Sequence, residues 1–143
     1  MMKRLVAVAF TACLCATLAF AGAIQDRQAV MKGVAAATKT GAGLAKGDIP
    51  FDAAKAKEVL QVYVDASEKL PTLFPEDSKT GETAASPKIW EDMAGFKARA
   101  AKLGADAKAA MASATDQAGF AAGFGEVTKN CNACHGEFRL KKS

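Results

Sequence analysis

The sequence lacks the alternation of apolar and polar residues that is typical of β-strands, because its apolar residues recur at intervals of three and four. It also contains a single histidine, His135, among its 143 residues. Its charged residues are dispersed in the pattern of solvated helix faces, and no pairing of a nucleophile with a base is suggested. These absences predict an all-α protein and give no support to a conventional enzyme.

The N-terminal segment predicts a signal for export. Lys3 and Arg4 precede an uncharged run over residues 5–21, which ends in the small-x-small pattern (Ala-Phe-Ala) that signal peptidase cleaves. The alternative is a transmembrane anchor, but the run is short and diluted with Ala and Thr, whereas a spanning helix needs about 20 strongly apolar residues. We therefore predict that residues 1–21 are removed, with Ala23 as a second cleavage position. Residues 22–143 would then form one exported domain without a membrane anchor.

Removal of this segment changes the charge and the cysteine count. Loss of Lys3 and Arg4 lowers the number of basic residues from 19 to 17 against 15 acidic ones, so the net charge falls from +4 to +2. This small excess gives no argument for a nucleic-acid partner. Cys13 and Cys15 are lost as well, and the mature chain keeps only a close pair of cysteines near its C-terminus.

The apolar spacing predicts four helices. The first covers residues 24–46, with Ile24, Met31, Val34, Ala35, Ala42 and Ala45 on its apolar side. The second begins with Asp52 as N-cap and stops at Pro71. The third begins at Ser86 and Pro87, a favourable N-cap and first helical position, and continues past residue 100. The fourth opens at Thr115 or Asp116 and carries a regular stripe of Phe120, Phe124, Val127, Cys131, Cys134 and Phe138.

The stripe of the last helix contains the motif that carries the chemistry. Residues 131–135 read Cys-Asn-Ala-Cys-His, the C-x-x-C-H pattern of covalent haem attachment. Residues three apart lie on one side of a helix, so the thiols of Cys131 and Cys134 can reach the two vinyl groups along one edge of a porphyrin. His135 follows directly and can bind the iron. The sequence therefore predicts one covalently attached haem c per chain, buried in the core of the protein.

Three other interpretations of the cysteine pair are weaker. A zinc site needs about four ligands, and the mature chain offers two cysteines and one histidine without a second cluster. A thioredoxin-like redox pair belongs in a βαβ context, which is absent here. A structural disulfide would leave His135 without a purpose.

The single histidine also limits the coordination of the iron. A second histidine ligand is impossible, so the sixth position is a methionine, a weak or exchangeable ligand, or empty. The mature chain contains Met31, Met93 and Met111. Met31 lies on the apolar side of the first helix and Met93 shares a stripe with Trp90 and Phe96, but an internal methionine is usually core filler.

The sequence resembles the class II cytochromes c, which include cytochrome c-prime and the low-spin cytochrome c-556 proteins. The resemblance covers essentially the whole mature chain and rests on three stretches: residues 27–31 (RQAVM), residues 73–75 (LFP) with 86–90 (SPKIW), and residues 131–139 (CNACHGEFR). A haem motif this close to the C-terminus is itself distinctive, because class I cytochromes c carry it near the N-terminus.

The resemblance implies an antiparallel up-down-up-down four-helix bundle with the haem in its core. It implies His135 as the proximal ligand in a solvent-facing region, and Met31 as the sixth ligand of a low-spin iron. Some relatives have a methionine here that blocks the distal face without binding iron. Arg27 and Arg139 match arginines near the haem, where they pair with a propionate or lie beside the proximal imidazole; the alternative is that both are solvated helix charges.

These features predict a periplasmic one-electron carrier with His/Met-ligated haem that exchanges electrons with redox partner proteins. The alternative is a high-spin, five-coordinate protein that binds nitric oxide or carbon monoxide. The resemblance allows either a monomer or a homodimer built on the first two helices.

Overall fold

The computed structural model describes residues 14–141, and the side chains from residue 22 onwards. Over these residues the chain forms four long α-helices and one single-turn α-helix: α1 (Leu14–Lys46), α2 (Ala53–Lys69), α3 (Lys88–Glu91), α4 (Met93–Ser113) and α5 (Gln117–Phe138). Within residues 14–141 no helix is both long and apolar enough to cross a membrane. The predicted all-α class is confirmed.

The start of two long helices follows the predicted capping residues. Asp52 accepts a hydrogen bond from the amide of Lys55 at 2.7 Å, and Asp116 accepts one from the amide of Gly119 at 2.8 Å. Each carboxylate satisfies a backbone N–H that has no partner in the first turn of its helix. At its other end α2 gives way to a 3₁₀ turn, Leu70–Thr72, which contains the predicted stop at Pro71.

The third predicted helix is broken in the structure. Asp92 leaves helical geometry (φ −131°, ψ 61°) and separates α3 from α4. Its carboxylate accepts a hydrogen bond from the amide of Gly95 at 2.9 Å and so caps α4. The prediction of one continuous helix from Ser86 was wrong because an aspartate side chain offers the backbone an alternative to the helical hydrogen bond.

The first helix differs from its prediction at the start and in its buried side. It begins at Leu14, within the predicted signal segment, of which residues 1–13 lie outside the described residues. Ala35 is exposed, whereas the buried stripe consists of Arg27, Val34, Ala37, Gly41 and Leu44. The prediction for Ala35 was wrong because the buried side of α1 includes Arg27, a charged residue that a purely apolar pattern does not take into account.

Contacts of α5 with α4 and with α1 establish the relative directions of these helices. Asn130 of α5 contacts Asp106 of α4, and Glu137 of α5 contacts Arg99 of α4. Residue numbers therefore fall along α4 as they rise along α5, so these two helices are antiparallel. Gln117 contacts Ala45 and Phe124 contacts Gly41, which gives the same relation to α1. With α2 packed between α1 and α4, the long helices form the predicted antiparallel bundle.

Two apolar clusters stabilise the bundle. The larger contains Leu44, Leu60, Tyr63, Phe120 and Val127, which are all fully buried. It depends on close helix approach, because a Cβ atom at Gly123 would lie 2.7 Å from the Cβ of Ala110 on α4. The smaller cluster, at the opposite end of α5, consists of Ile89, Phe96 and Phe138 with partly buried Phe74, Ala85, Trp90, Met93 and Cys134 packed against it.

Candidate haem site

The buried stripe of α5 is interrupted at the two cysteines. Phe120, Phe124, Val127 and Phe138 are buried, while Cys131 and Cys134 between them are half-buried free thiols. The predicted stripe is therefore observed, but both thiols reach the edge of the core rather than its centre. Burial raises the pKa of each thiol, so both are protonated at neutral pH.

The two cysteines lie at the junction of the two apolar clusters. Cys134 packs against the smaller cluster around Phe96 and Phe138. Cys131 lies one helical turn after Val127, which belongs to the larger cluster. A planar group attached to both thiols would therefore contact both clusters.

Tyr63 of α2 is a buried polar residue of the larger cluster that the sequence did not single out. Its ring is fully buried, and its hydroxyl lies 2.8 Å from the hydroxyl of Thr38 on α1. Thr38 in turn donates to the carbonyl of Val34 at 2.8 Å. The polar end of a core tyrosine thus joins α2 to α1 within the larger cluster.

His135 lies on the exposed side of α5, as the resemblance implied. It borders a shallow concavity that is also lined by Asn132, Gly136, Arg139, Leu140 and Lys141. Surrounding atoms desolvate the ring and lower the pKa of His135, and the positive charge of Arg139 lowers it further. Both effects favour the neutral imidazole, which is the form that binds a metal.

The three methionines of the domain occupy different surroundings. Met31 is half-buried on α1 and packs against the larger cluster, as does Met111 of α4. Met93 packs against the smaller cluster, which also includes Cys134. Met93 therefore packs against the same cluster as Cys134, whereas Met31 packs against the cluster that contains Val127, one helical turn before Cys131.

Arg27 is buried, with only 5% of its surface exposed. Its terminal nitrogens donate to the carbonyl of Leu73 (3.2 Å), to the hydroxyl and carbonyl of Ser78 (2.9 and 3.0 Å), and to the hydroxyl of Thr83 (2.8 Å). The guanidinium carbon also lies 4.8 Å from the centre of the Phe74 ring and 5.8 Å from that of Trp90. The interpretation of Arg27 as a solvated helix charge is wrong, because its partners belong to the segment between α2 and α3.

Arg139 is exposed and follows the last residue of α5. Its backbone forms an isolated antiparallel bridge with Ala85, through hydrogen bonds from Ser86 N to Phe138 O (2.9 Å) and from Leu140 N to Ala84 O (2.8 Å). Its side chain borders the same concavity as His135. The structure thus brings Arg139 near the predicted proximal ligand and places Arg27 elsewhere.

A polar contact fixes α4 against α5 next to the first cysteine. The amide of Asn130, a buried side chain, donates to the carboxylate of Asp106 at 2.8 Å, and Lys102 donates to the same carboxylate at 2.7 Å. These two hydrogen bonds hold the pKa of Asp106 below its usual value of 3.8, against a small opposing effect of burial. This contact was not predictable from the sequence, because Asp106 and Asn130 are far apart in the chain.

Replacing Asp106 with Asn is expected to destabilise the fold at neutral pH. Because the folded-state pKa is lowered, the carboxylate contributes stability above its unfolded pKa and loses it as the pH falls through the folded value. The midpoint of thermal unfolding of D106N should therefore lie a few degrees below that of the unsubstituted protein at neutral pH and coincide with it well below pH 3.8. The exposed Asp48→Asn variant is the matched control, and an equal effect in both variants would contradict the role of Asp106.

The side chains of the site fit a covalently attached haem. Two free thiols stand three positions apart on one helix, beside apolar clusters suited to a porphyrin, with a neutral imidazole in the next position. Among the side chains of residues 22–141, no group of three or more His, Cys, Asp or Glu is arranged to hold a metal ion directly. The fold and the site together define a monohaem c-type cytochrome on a four-helix bundle.

Comparison with known proteins agrees with this class. A family model described as cytochrome c′ matches residues 22–139. Cytochrome c′ of Rhodopseudomonas palustris is 49% identical over 121 residues, covering 84% of this chain and 83% of that protein. A solved structure of cytochrome c′ from that species superposes with a TM-score of 0.80 at 48% identity, covering 85% of this chain and 98% of the other.

Two further relatives bear on function. Cytochrome c-556 of Agrobacterium fabrum is 40% identical over 143 residues, covering 99% of this chain and 97% of that protein. The nitric oxide complex of a variant of cytochrome c prime from Alcaligenes xylosoxidans superposes with a TM-score of 0.76 at 29% identity, covering 85% and 97%. The chain belongs to the cytochrome c′ family, and its cofactor is one covalently bound haem c.

Proposed function

We propose that the protein is a periplasmic one-electron carrier whose iron is bound by His135 and Met31. The observation that carries the proposal is the position of Met31, half-buried on α1 against the larger cluster, whose Val127 lies one helical turn before Cys131 on α5. His135 lies on the opposite, exposed side of α5. One ligand thus comes from the core side and the other from the solvent side.

Cys131 and Cys134 would hold the haem by thioether bonds, which do not depend on the ligands of the iron. The haem supplies a reversible one-electron couple when bound. A neutral His135 and the thioether of Met31 would remain in place in both oxidation states, so little rearrangement accompanies electron transfer, and His/Met ligation raises the reduction potential. Export by the segment over residues 1–21 would bring this carrier to redox partner proteins in the periplasm.

Arg27 and Arg139 are proposed to lie near the haem in two different ways. Arg27 is a buried cation whose hydrogen-bond partners are all neutral, and no carboxylate of the described residues forms an ion pair with it. A haem propionate would supply the missing negative charge. Arg139, which borders the concavity of His135, would lie on the proximal side.

Replacing Arg27 with Gln is expected to lower the midpoint potential of the haem. Loss of a nearby positive charge favours the ferric state, and the effect is large at a buried position. Lys32→Gln is the matched control, because it makes the same change of charge on the exposed side of α1. Equal midpoint potentials in the two variants, measured by redox titration, would contradict the placement of Arg27 beside the haem.

A second candidate function is the binding of nitric oxide or carbon monoxide by a five-coordinate iron. It is favoured by the likeness to a cytochrome c prime that forms a nitric oxide complex. In that case Met31 would fill space on the core side without binding the iron. The spectrum of the purified ferric protein separates the two functions: a low-spin visible and EPR spectrum is expected, and a high-spin spectrum that changes with pH would favour gas binding.

A further inference from the structure

Thr83 accepts two hydrogen bonds that connect separate parts of the site. Its hydroxyl oxygen lies 2.8 Å from a terminal nitrogen of Arg27 on α1 and 3.1 Å from the backbone nitrogen of Ala85. The second bond fixes the turn of residues 83–86, which we call the 83–86 segment. The side chain of Thr83 is therefore hydrogen-bonded to α1, while the segment to which it belongs forms backbone hydrogen bonds with another part of the chain.

The 83–86 segment pairs with the chain that leaves α5. Ala84 accepts from the amide of Leu140 at 2.8 Å, and Ser86 donates to the carbonyl of Phe138 at 2.9 Å. Arg27 has three other hydrogen bonds, but their acceptors are Leu73 and Ser78, which do not belong to the bridge with α5. Among the acceptors of Arg27, Thr83 alone lies in the paired segment.

The position of this connection makes it relevant to the haem. Arg27 is one helical turn before Met31, and Arg139 is one turn after His135, so the 83–86 segment joins the helices that carry the two proposed iron ligands. Direct contacts between α1 and α5, at Gly41 with Phe124 and at Ala45 with Gln117, lie toward the other end of these helices. At the end with the cysteines, a link runs from Arg27 through Thr83 to residues 138–140, and Gln28 of α1 also donates to the carbonyl of the neighbouring Glu82 at 2.8 Å.

We propose that Thr83 is a positioning residue that sets the spacing between the Met31 side of α1 and the His135 end of α5. The inference deepens the proposed function and, for its effect on ligand access, rests on it. The hydrogen bond between a buried cation and a neutral oxygen is among the stronger kinds in proteins. Its loss is therefore expected to raise the equilibrium constant for opening of the 83–86 segment by about tenfold or more.

The test compares three variants of the haem-loaded protein. Thr83→Val keeps the shape and removes the acceptor, whereas Thr83→Ser keeps the hydroxyl. Ser78→Ala is the matched control, because it removes a hydroxyl that accepts from the same guanidinium at 2.9 Å but lies outside the paired segment. The first measurement is hydrogen–deuterium exchange at the amides of Ser86 and Leu140, which reports local opening. The second is the rate of carbon monoxide binding to the ferrous protein.

In T83V, both amides are expected to exchange about tenfold faster and carbon monoxide to bind about tenfold faster. T83S and S78A are expected to stay within about twofold of the unsubstituted protein in the exchange measurement. The inference is overturned if T83V leaves the exchange unchanged, if S78A speeds it equally, or if, in a protein whose ferric spectrum is low-spin, faster exchange in T83V comes without faster carbon monoxide binding. Amide exchange does not involve Met31, so it tests the connection even when a high-spin ferric spectrum rejects the proposed sixth ligand.

Discussion

A chain in which Ala replaces both Cys131 and Cys134 is expected to leave the maturation pathway without covalent haem. The mass of the purified polypeptide should equal that of the bare mature chain, and any haem held by His135 should be extracted by acidified acetone. The physical reason is that thioether bonds survive denaturation and ligand loss, whereas the remaining contacts are non-covalent. Mass spectrometry and a pyridine haemochrome assay measure the outcome.

The control for this experiment is the pair of cysteines at the other end of the chain. Replacing Cys13 and Cys15 should leave the haem content unchanged, since both belong to the predicted signal segment. The single variants C131A and C134A should each keep one thioether bond. Covalent haem in the double variant would refute the assignment of both attachment residues.

Replacing Met31 with Ala is expected to convert the ferric iron from low-spin to high-spin almost completely. It should also raise the apparent affinity of the ferrous protein for carbon monoxide. If Met31 occupies the iron in about 99 of 100 molecules, only about 1 in 100 is competent to bind the gas, and removal of the methionine raises the affinity about a hundredfold. Visible and EPR spectra with a carbon monoxide titration measure both effects.

Met93 and Met111 provide two matched controls for this prediction. Met111 packs against the same cluster as Met31, so M111A should lose packing without a change of spin state. Met93 packs against the smaller cluster together with Cys134, which makes it the structural competitor for the iron. A high-spin spectrum in M93A, with an unchanged spectrum in M31A, would show that Met93 rather than Met31 is the sixth ligand of the iron.

The helix ends were predicted correctly wherever a local sequence signal determines them. The ends marked by Asp52, Pro71 and Asp116 are confirmed, because a cap or a proline acts within one turn of its own position. The buried side of α2 includes Ala56, Leu60, Tyr63 and Ala66, which recur at the intervals of three and four that the apolar spacing predicts for a helix. The prediction failed at Asp92, where a local cap competed with helix continuation that the apolar spacing favoured.

The candidate site was predictable only in its covalent part. The C-x-x-C-H motif is local, and the spacing of Cys131 and Cys134 by itself places both thiols on one side of a helix. The partners of Arg27 were not predictable, because Leu73, Ser78 and Thr83 lie 46 to 56 positions away in an irregular segment. An apolar pattern also gives no weight to a buried arginine, although Arg27 shares its stripe with Val34 and Leu44.

The sequence alone determined the all-α class, the limits of most helices and the haem attachment motif, because each depends on residues within a few turns of one another. Only the tertiary structure decided that the two cysteines lie between two apolar clusters, that Arg27 is buried, and that the 83–86 segment joins α1 to the end of α5. Those features depend on hydrogen bonds and packing between residues far apart in the chain, and no periodicity within a single helix encodes them.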